Sequence, residues 1–239
     1  MLEFVRDVSV ADWVGGRLAR REDASLGMVV PRGYEEYARI LHPPFLPEGT
    51  PTTWAAVCAA TGSEPHALMH WLDAGAGWPG SEPYEGSLES EPLTVLADVL
   101  SAFTRGWCYF ALWEGLGWIQ GSPAIGVLDR RRVPPAFPPD VMSGPRLRLP
   151  GRDYLLFRGQ PADLLHLGWT YPGGDQDLQS PNLMWPADRS WFVATEIDLD
   201  STLVGGTEEL VETLLAAEGL EVWRVDVSDH LDRPPLRRA

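Results

Sequence analysis

From Ser90, with Pro92 in the first turn, Leu93, Leu96, Ala97, Leu100 and Phe103 recur at helical spacing. The next apolar segment, "WCYFALW" at 107–113, has the length and aromatic content of an interior strand. Helical and strand periods follow one another in this way along the chain without a regular βαβ order. Thr53 caps a helix over "WAAVCAAT" that Gly62 ends, and Ser63 with Pro65 opens a second, "HALMHWLDA", stopping at Gly75. "LGMVVP" (26–31), "RDYLLFRG" (152–159), "SWFVATEIDL" (190–199) and "LEVWRVDV" (220–227) read as strands. "YEEYARIL" (34–41) suits strand or helix, Pro161 starts a short helix, and Thr207 caps "EELVETLLAAEG" with Glu208 and Glu209 in its first turn. The expected class is α+β: a mixed or antiparallel sheet with several helices in irregular order and no internal repeat.

Residues 122–152 differ in character, with seven prolines and six arginines among few large apolar groups, and read as a loop or linker. The chain then divides into an α+β region at 1–121, this segment, a second α+β region at 153–232 and a tail at 233–239, or forms one domain with a long loop. At 239 residues and 44% apolar content it can bury a substantial core. Charges at Glu3, Arg6 and Asp12 break the apolar stretch that a signal peptide needs, so the expectation is a soluble, cytoplasmic protein with no membrane partner. Cys58 and Cys108, each flanked by apolar residues, read as buried reduced thiols.

All nineteen basic residues are arginine, which removes every mechanism that needs a lysine nucleophile or base. The net charge of −15 repels nucleic acid. That charge also decides the helix-turn-helix-like segment at 54–75: between Ile40 and Thr104 there is no cation, against eight carboxylates, so no phosphate contact is available to a DNA reader. His66 and His70 lack the glutamate of a zinc-protease helix. "GAGWPG" (75–80) and "GLGWIQG" (115–121) lack the strand-then-helix setting of a dinucleotide loop, and no cofactor is predicted.

The strongest chemical signal is "EIDLDSTLVGG" at 196–206. If the strand runs on through it, Glu196, Asp198 and Asp200 share one face at spacing two, while Val193, Ile197 and Leu199 turn to the core. A carboxylate row of this kind repels itself unless a cation neutralises it, which makes the three residues candidate metal ligands. The run also resembles the Asp-x-Asp-x-Thr signature of haloacid-dehalogenase-like phosphotransferases, which implies Asp198 as nucleophile and Asp200 as acid/base. That family carries the motif on its first core strand, with further groups from later βα units. Only 39 residues follow Asp200, about one such unit. The segments "YARILHP" and "MWPADRSWFVATEIDLDSTLVGG" resemble a family of uncharacterised actinobacterial proteins, a likeness that implies no activity.

Two functions follow as expectations. The first is a non-enzymatic binding or regulatory protein, immunity-like or stress-associated, whose acidic, Trp-rich surface engages a protein partner. The second is a metal-dependent hydrolase or phosphatase-like enzyme gathering Glu196, Asp198 and Asp200 with Asp188, Arg189 or His166. A concave pocket around the carboxylates favours the enzyme; a convex, solvent-facing strand favours the binder.

Overall fold

The computed structural model describes residues 2–121, 135–170 and 176–230. Its centre is a nine-stranded antiparallel sheet. The strands are β1 (Glu3–Phe4), β2 (Glu36–Leu41), β3 (Cys108–Trp113), β4 (Leu147–Leu149), β5 (Arg152–Gly159), β8 (Leu183–Pro186), β9 (Phe192–Thr195), β10 (Ser201–Gly206) and β11 (Glu221–Val225). They run in the order β1-β5-β3-β8-β9-β10-β2-β11, with β4 hydrogen-bonded to β5, while β6 (Gly168–Thr170) and β7 (Gln176–Leu178) form a separate pair. The architecture is α+β, and the sheet takes strands from both sides of residues 122–152. Among the described residues no helix is long and apolar enough to cross a membrane.

Alternation assigns each strand residue to one of two cores. Ile40, Phe110, Leu112, Leu155, Met184, Val193 and Val204 face α4 (Ser90–Ala102), α6 (Glu208–Leu215) and the 3-10 turn Pro161–His166. Tyr37, Leu156, Trp185, Phe192 and Leu203 face the amino-terminal segment, whose Ala11, Val14, Leu26 and Val30 complete the second core. A smaller cluster joins Leu41 to Trp54, Cys58 and Met69 beside Trp71 and Trp223. Trp54, Trp185 and Trp191 are fully buried, and both thiols are free and buried, burial pushing that of Cys108 up to about 12.

The capping residues act as their chemistry dictates. Thr53 accepts from Ala56 N at the start of α2 (Trp54–Thr61), Gly62 ends that helix at φ 78°, and Thr207 accepts from Leu210 N. A second cap arrives from far along the chain. The Glu221 carboxylate of β11 accepts from Trp54 N at 2.6 Å and Ala55 N at 2.8 Å, satisfying amides that α2 leaves open.

Several expectations are corrected. "LGMVVP" is no strand: Leu26–Met28 form a 3-10 turn whose backbone bonds to the chain after β11. The second helix of the would-be helix-turn-helix shrinks to α3 (Trp71–Ala74), because Pro65 and the 64–70 turn consume its first half. Residues 135–152 carry only brief elements, as a loop would, but do not lie wholly at the surface, since Val141 of α5 (Pro139–Met142) and Leu147 of β4 are buried. The remainder of that proline-rich segment, 122–134, and the tail at 233–239 lie outside the described residues.

Candidate functional site

The strand expected to carry the carboxylates stops before them. β9 ends at Thr195, Leu199 N bonds back to Glu196 O at 3.1 Å, and β10 begins at Ser201. Residues 196–200 are therefore the turn of a β-hairpin. Trp191 and Val193 do face the core, but Ile197 and Leu199 are only half-buried, correcting the expectation that both lie in it.

The turn separates the three acidic residues. The Arg152 guanidinium binds Glu196, donating from Nε at 2.6 Å, and reaches Asp198 Oδ2 from Nη2 at 2.9 Å while lying over the Trp113 ring. The second oxygen of Glu196 accepts from Asp198 N at 2.7 Å. Asp200 points elsewhere, to Arg39 on β2 at 2.9 Å. No shared metal site results: among the described residues no three His, Cys, Asp or Glu side chains are placed to hold an ion. The phosphotransferase arrangement fails too, since Asp198 belongs to an antiparallel hairpin turn and Thr202, the motif's hydroxyl, is fully buried. Asp188 and Arg189 sit in the β8–β9 turn, at the far end of β9 from Glu196, and His166 ends a 3-10 turn on the opposite sheet face. None of the three joins the carboxylates.

Beneath the hairpin runs a buried polar seam. Arg39, only 1% exposed, donates to Ser201 Oγ (2.9 Å), Ala67 O (3.0 Å), Met69 O (2.9 Å) and Asp200 Oδ1. Burial lowers its pKa, opposed by the Asp200 charge. His42 is enclosed next to it. Nδ1–H donates to Tyr84 O at 2.7 Å, Nε2 accepts from the Thr202 hydroxyl at 3.0 Å, and Thr202 Oγ1 accepts from Thr195 at 2.9 Å. This hydroxyl–imidazole–carbonyl chain resembles a nucleophile and its base, yet His42 and Thr202 are 0% exposed and Thr195 is 1%. His42 and Thr202 have no room for a substrate, and the chain works as a structural network. The sequence offered no sign of it beyond unassigned polar residues in or just after apolar strands, at His42, Thr195 and Thr202.

Above the hairpin the surface is concave. A cavity of about 520 Å³ is bounded by Leu18, Met28, Val29, Leu149, Leu183 and Leu199 on its apolar side. Arg152, Tyr154, Asn182, Thr195, Glu196 and Asp198 form its polar end. Asn182 fixes that end: its Oδ1 accepts from Trp113 N at 2.7 Å and its amide donates to Thr195 O at 3.3 Å. Burial pushes the Tyr154 phenol up to about 12, keeping it a neutral hydroxyl.

The far side of the hairpin is locked by Gly86. Its N–H donates to Leu199 O at 2.9 Å, and a Cβ there would lie 2.7 Å from Ile197 Cα at φ 74°. Gly86→Ala should therefore cost about 2–4 kcal/mol, combining left-handed strain with backbone overlap. Gly62→Ala, at φ 78° with nothing within 4 Å, should cost only about 1 kcal/mol. Urea denaturation of the two variants checks the difference.

No known protein family matches this chain, and neither a curated protein nor a solved structure does.

Proposed function

We propose that this protein is a binding protein whose cavity above the β9–β10 hairpin receives a small amphiphilic molecule, uncharged or cationic at its polar end. The carrying observation is that Arg152 is already shared between the two carboxylates at that end, bound to one oxygen of each, while the second oxygen of Glu196 accepts from Asp198 N. Concavity alone favours an enzyme; the arginine bound between the two carboxylates disfavours the chemistry that an enzyme of the carboxylate-row type requires. The volume lies within the roughly 300–1,000 Å³ of ligand pockets, and an apolar wall with a few fixed polar groups is the usual lining. Glu196, Asp198 and Arg152 together carry a net negative charge, which disfavours an anionic head group there. The cavity's size narrows the occupant from a protein partner to a small ligand. The large exposed apolar side chains Leu72, Tyr84, Trp107 and Leu215 lie on separate elements.

Calorimetric titration with octyltrimethylammonium, 1-octanol and octanoate tests this reading. The first two should bind, octanoate at least about tenfold more weakly, and Ala19→Trp at the cavity edge should abolish all binding. Absence of binding by any of the three, or preference for octanoate, overturns it. Magnesium-dependent hydrolysis of an aryl phosphate that Asp198→Asn removes would restore the enzyme.

A further inference from the structure

Nearly every arginine whose side chain is described has a carboxylate within ion-pair distance; the exceptions are Arg17, Arg105 and Arg189. Two of these three stand over one ring. The Arg17 guanidinium lies 5.4 Å and that of Arg189 5.1 Å from the centre of Trp13. In a chain of net charge −15, two cations left without counter-charge and placed together require an explanation.

Their placement is built from both sequence neighbours and distant chain. Trp13 and Arg17 are four residues apart on helix α1 (Asp12–Arg17), the spacing that stacks side chains on one face. The indole is held edge-on against Trp185 at 6.1 Å and Phe192 at 5.8 Å, themselves stacked at 5.6 Å. Arg189 reaches the ring from the β8–β9 turn, where its backbone adopts φ 60°, a conformation costly for a residue with a Cβ. Its N–H donates to Pro186 O, and Asp188 Oδ1 accepts from Ser190 N, so the acid is engaged in the turn. Glycine would adopt that conformation without the strain that arginine carries there.

A guanidinium stacked on an aromatic ring uses its face and leaves its N–H edges free for a planar or tetrahedral oxyanion. Trp13 Nε1–H and the Tyr34 hydroxyl are buried without a hydrogen-bond partner among the described residues, and Tyr34 is within electrostatic reach of Arg17, Arg189 and Asp188. Two exposed guanidinium groups therefore lie over one ring. We propose that Arg17 and Arg189, laid on Trp13, form an oxyanion-binding site for the diphosphate group of a small molecule, separate from the cavity above the β9–β10 hairpin. Two forked cations on one platform suit two linked anionic centres better than one. Screening confines the chain's overall negative charge to short range, about 8 Å at physiological salt, so the local cations govern the encounter.

The test is titration of the intact chain with pyrophosphate, orthophosphate and acetate, followed by calorimetry and by the Trp13 indole N–H resonance. Pyrophosphate should bind most tightly, orthophosphate more weakly and acetate undetectably, with the Trp13 signal moving. Arg17→Gln and Arg189→Gly should each weaken pyrophosphate at least about tenfold. Arg189→Gly should do so with an unchanged or higher melting temperature, because it relieves the turn; loss of binding in that variant is therefore not loss of fold. Equal binding of pyrophosphate by the wild type and both variants, binding of acetate as tight as of pyrophosphate, or no binding by the wild type at millimolar concentration overturns the proposal. None of these outcomes bears on the octyl series, whose site shares neither arginine.

Discussion

Asp200→Asn should destabilise the protein by about 3 kcal/mol or more, and Asp198→Asn by less than about 1 kcal/mol. The two acids stand two residues apart in one motif, yet their environments differ in the quantity that decides such costs. Asp198, 77% exposed at its side chain, shares Arg152 with Glu196, so its loss leaves the cation paired and in contact with water. Asp200 is 15% exposed and is the counter-charge of Arg39, which is 1% exposed. Removing it strands a guanidinium whose other partners, Ser201 Oγ and the Ala67 and Met69 carbonyls, are all neutral. Arg39→Met with Asp200→Asn should recover part of the loss, since an apolar replacement of a buried pair is close to neutral where its volume is kept. Urea midpoints of the three variants and the wild type measure this. Equal costs for Asp198 and Asp200, or a larger one for Asp198 with tight magnesium binding, would return the motif to the phosphotransferase reading.

That contrast also marks what the sequence can and cannot convey. Local periodicity located α4, β3, β5 and α6, and chemistry at Thr53, Gly62 and Thr207 located helix ends, because each signal lies within a few residues of the structure it makes. Periodicity misled at 196–200, where alternating acidic and apolar residues look like strand but the chain turns back on itself. Nothing local distinguishes the two, since the pairing that ends β9 is with β10, the next strand, which lies beyond the 190–199 segment that reads as strand. The site followed the same division. Glu196 and Asp198 do border the cavity, but the cation they share comes from β5, 44 residues before Glu196. Arg39, 161 residues from Asp200, sat in a segment whose period was itself ambiguous. The Trp13–Arg17 pair stands on a short helix that no periodic pattern marked, and Arg189 reaches it from a distant turn.

His42 should make the protein acid-labile over a defined window. It is buried with Nδ1–H on the Tyr84 carbonyl and Nε2 accepting from Thr202, an arrangement that holds the ring neutral. Desolvation is the largest influence on it and lowers its pKa from 6.5 to about 4; the Tyr84 carbonyl and Asp200 oppose this and Arg39 reinforces it. The unfolded chain therefore binds a proton that the folded chain refuses between those two values. The stability from His42 is present in full above pH 6.5 and is lost as pH falls toward 4, a loss of about 3 kcal/mol. Glu221 acts in the opposite sense. Burial raises its folded pKa above 4.5, so its protonation favours the native state as pH falls and offsets part of the effect near the lower end. The His42 contribution is isolated by comparing slopes: His42→Gln should be less stable than the wild type at pH 7, yet vary less with pH between 6.5 and 4.5. Urea unfolding at five pH values across that interval gives both slopes. Parallel slopes, or an imidazole C–H resonance of His42 titrating near 6.5 in the folded protein, would show that the ring takes up its proton inside the fold and that the seam tolerates a cation beside Arg39.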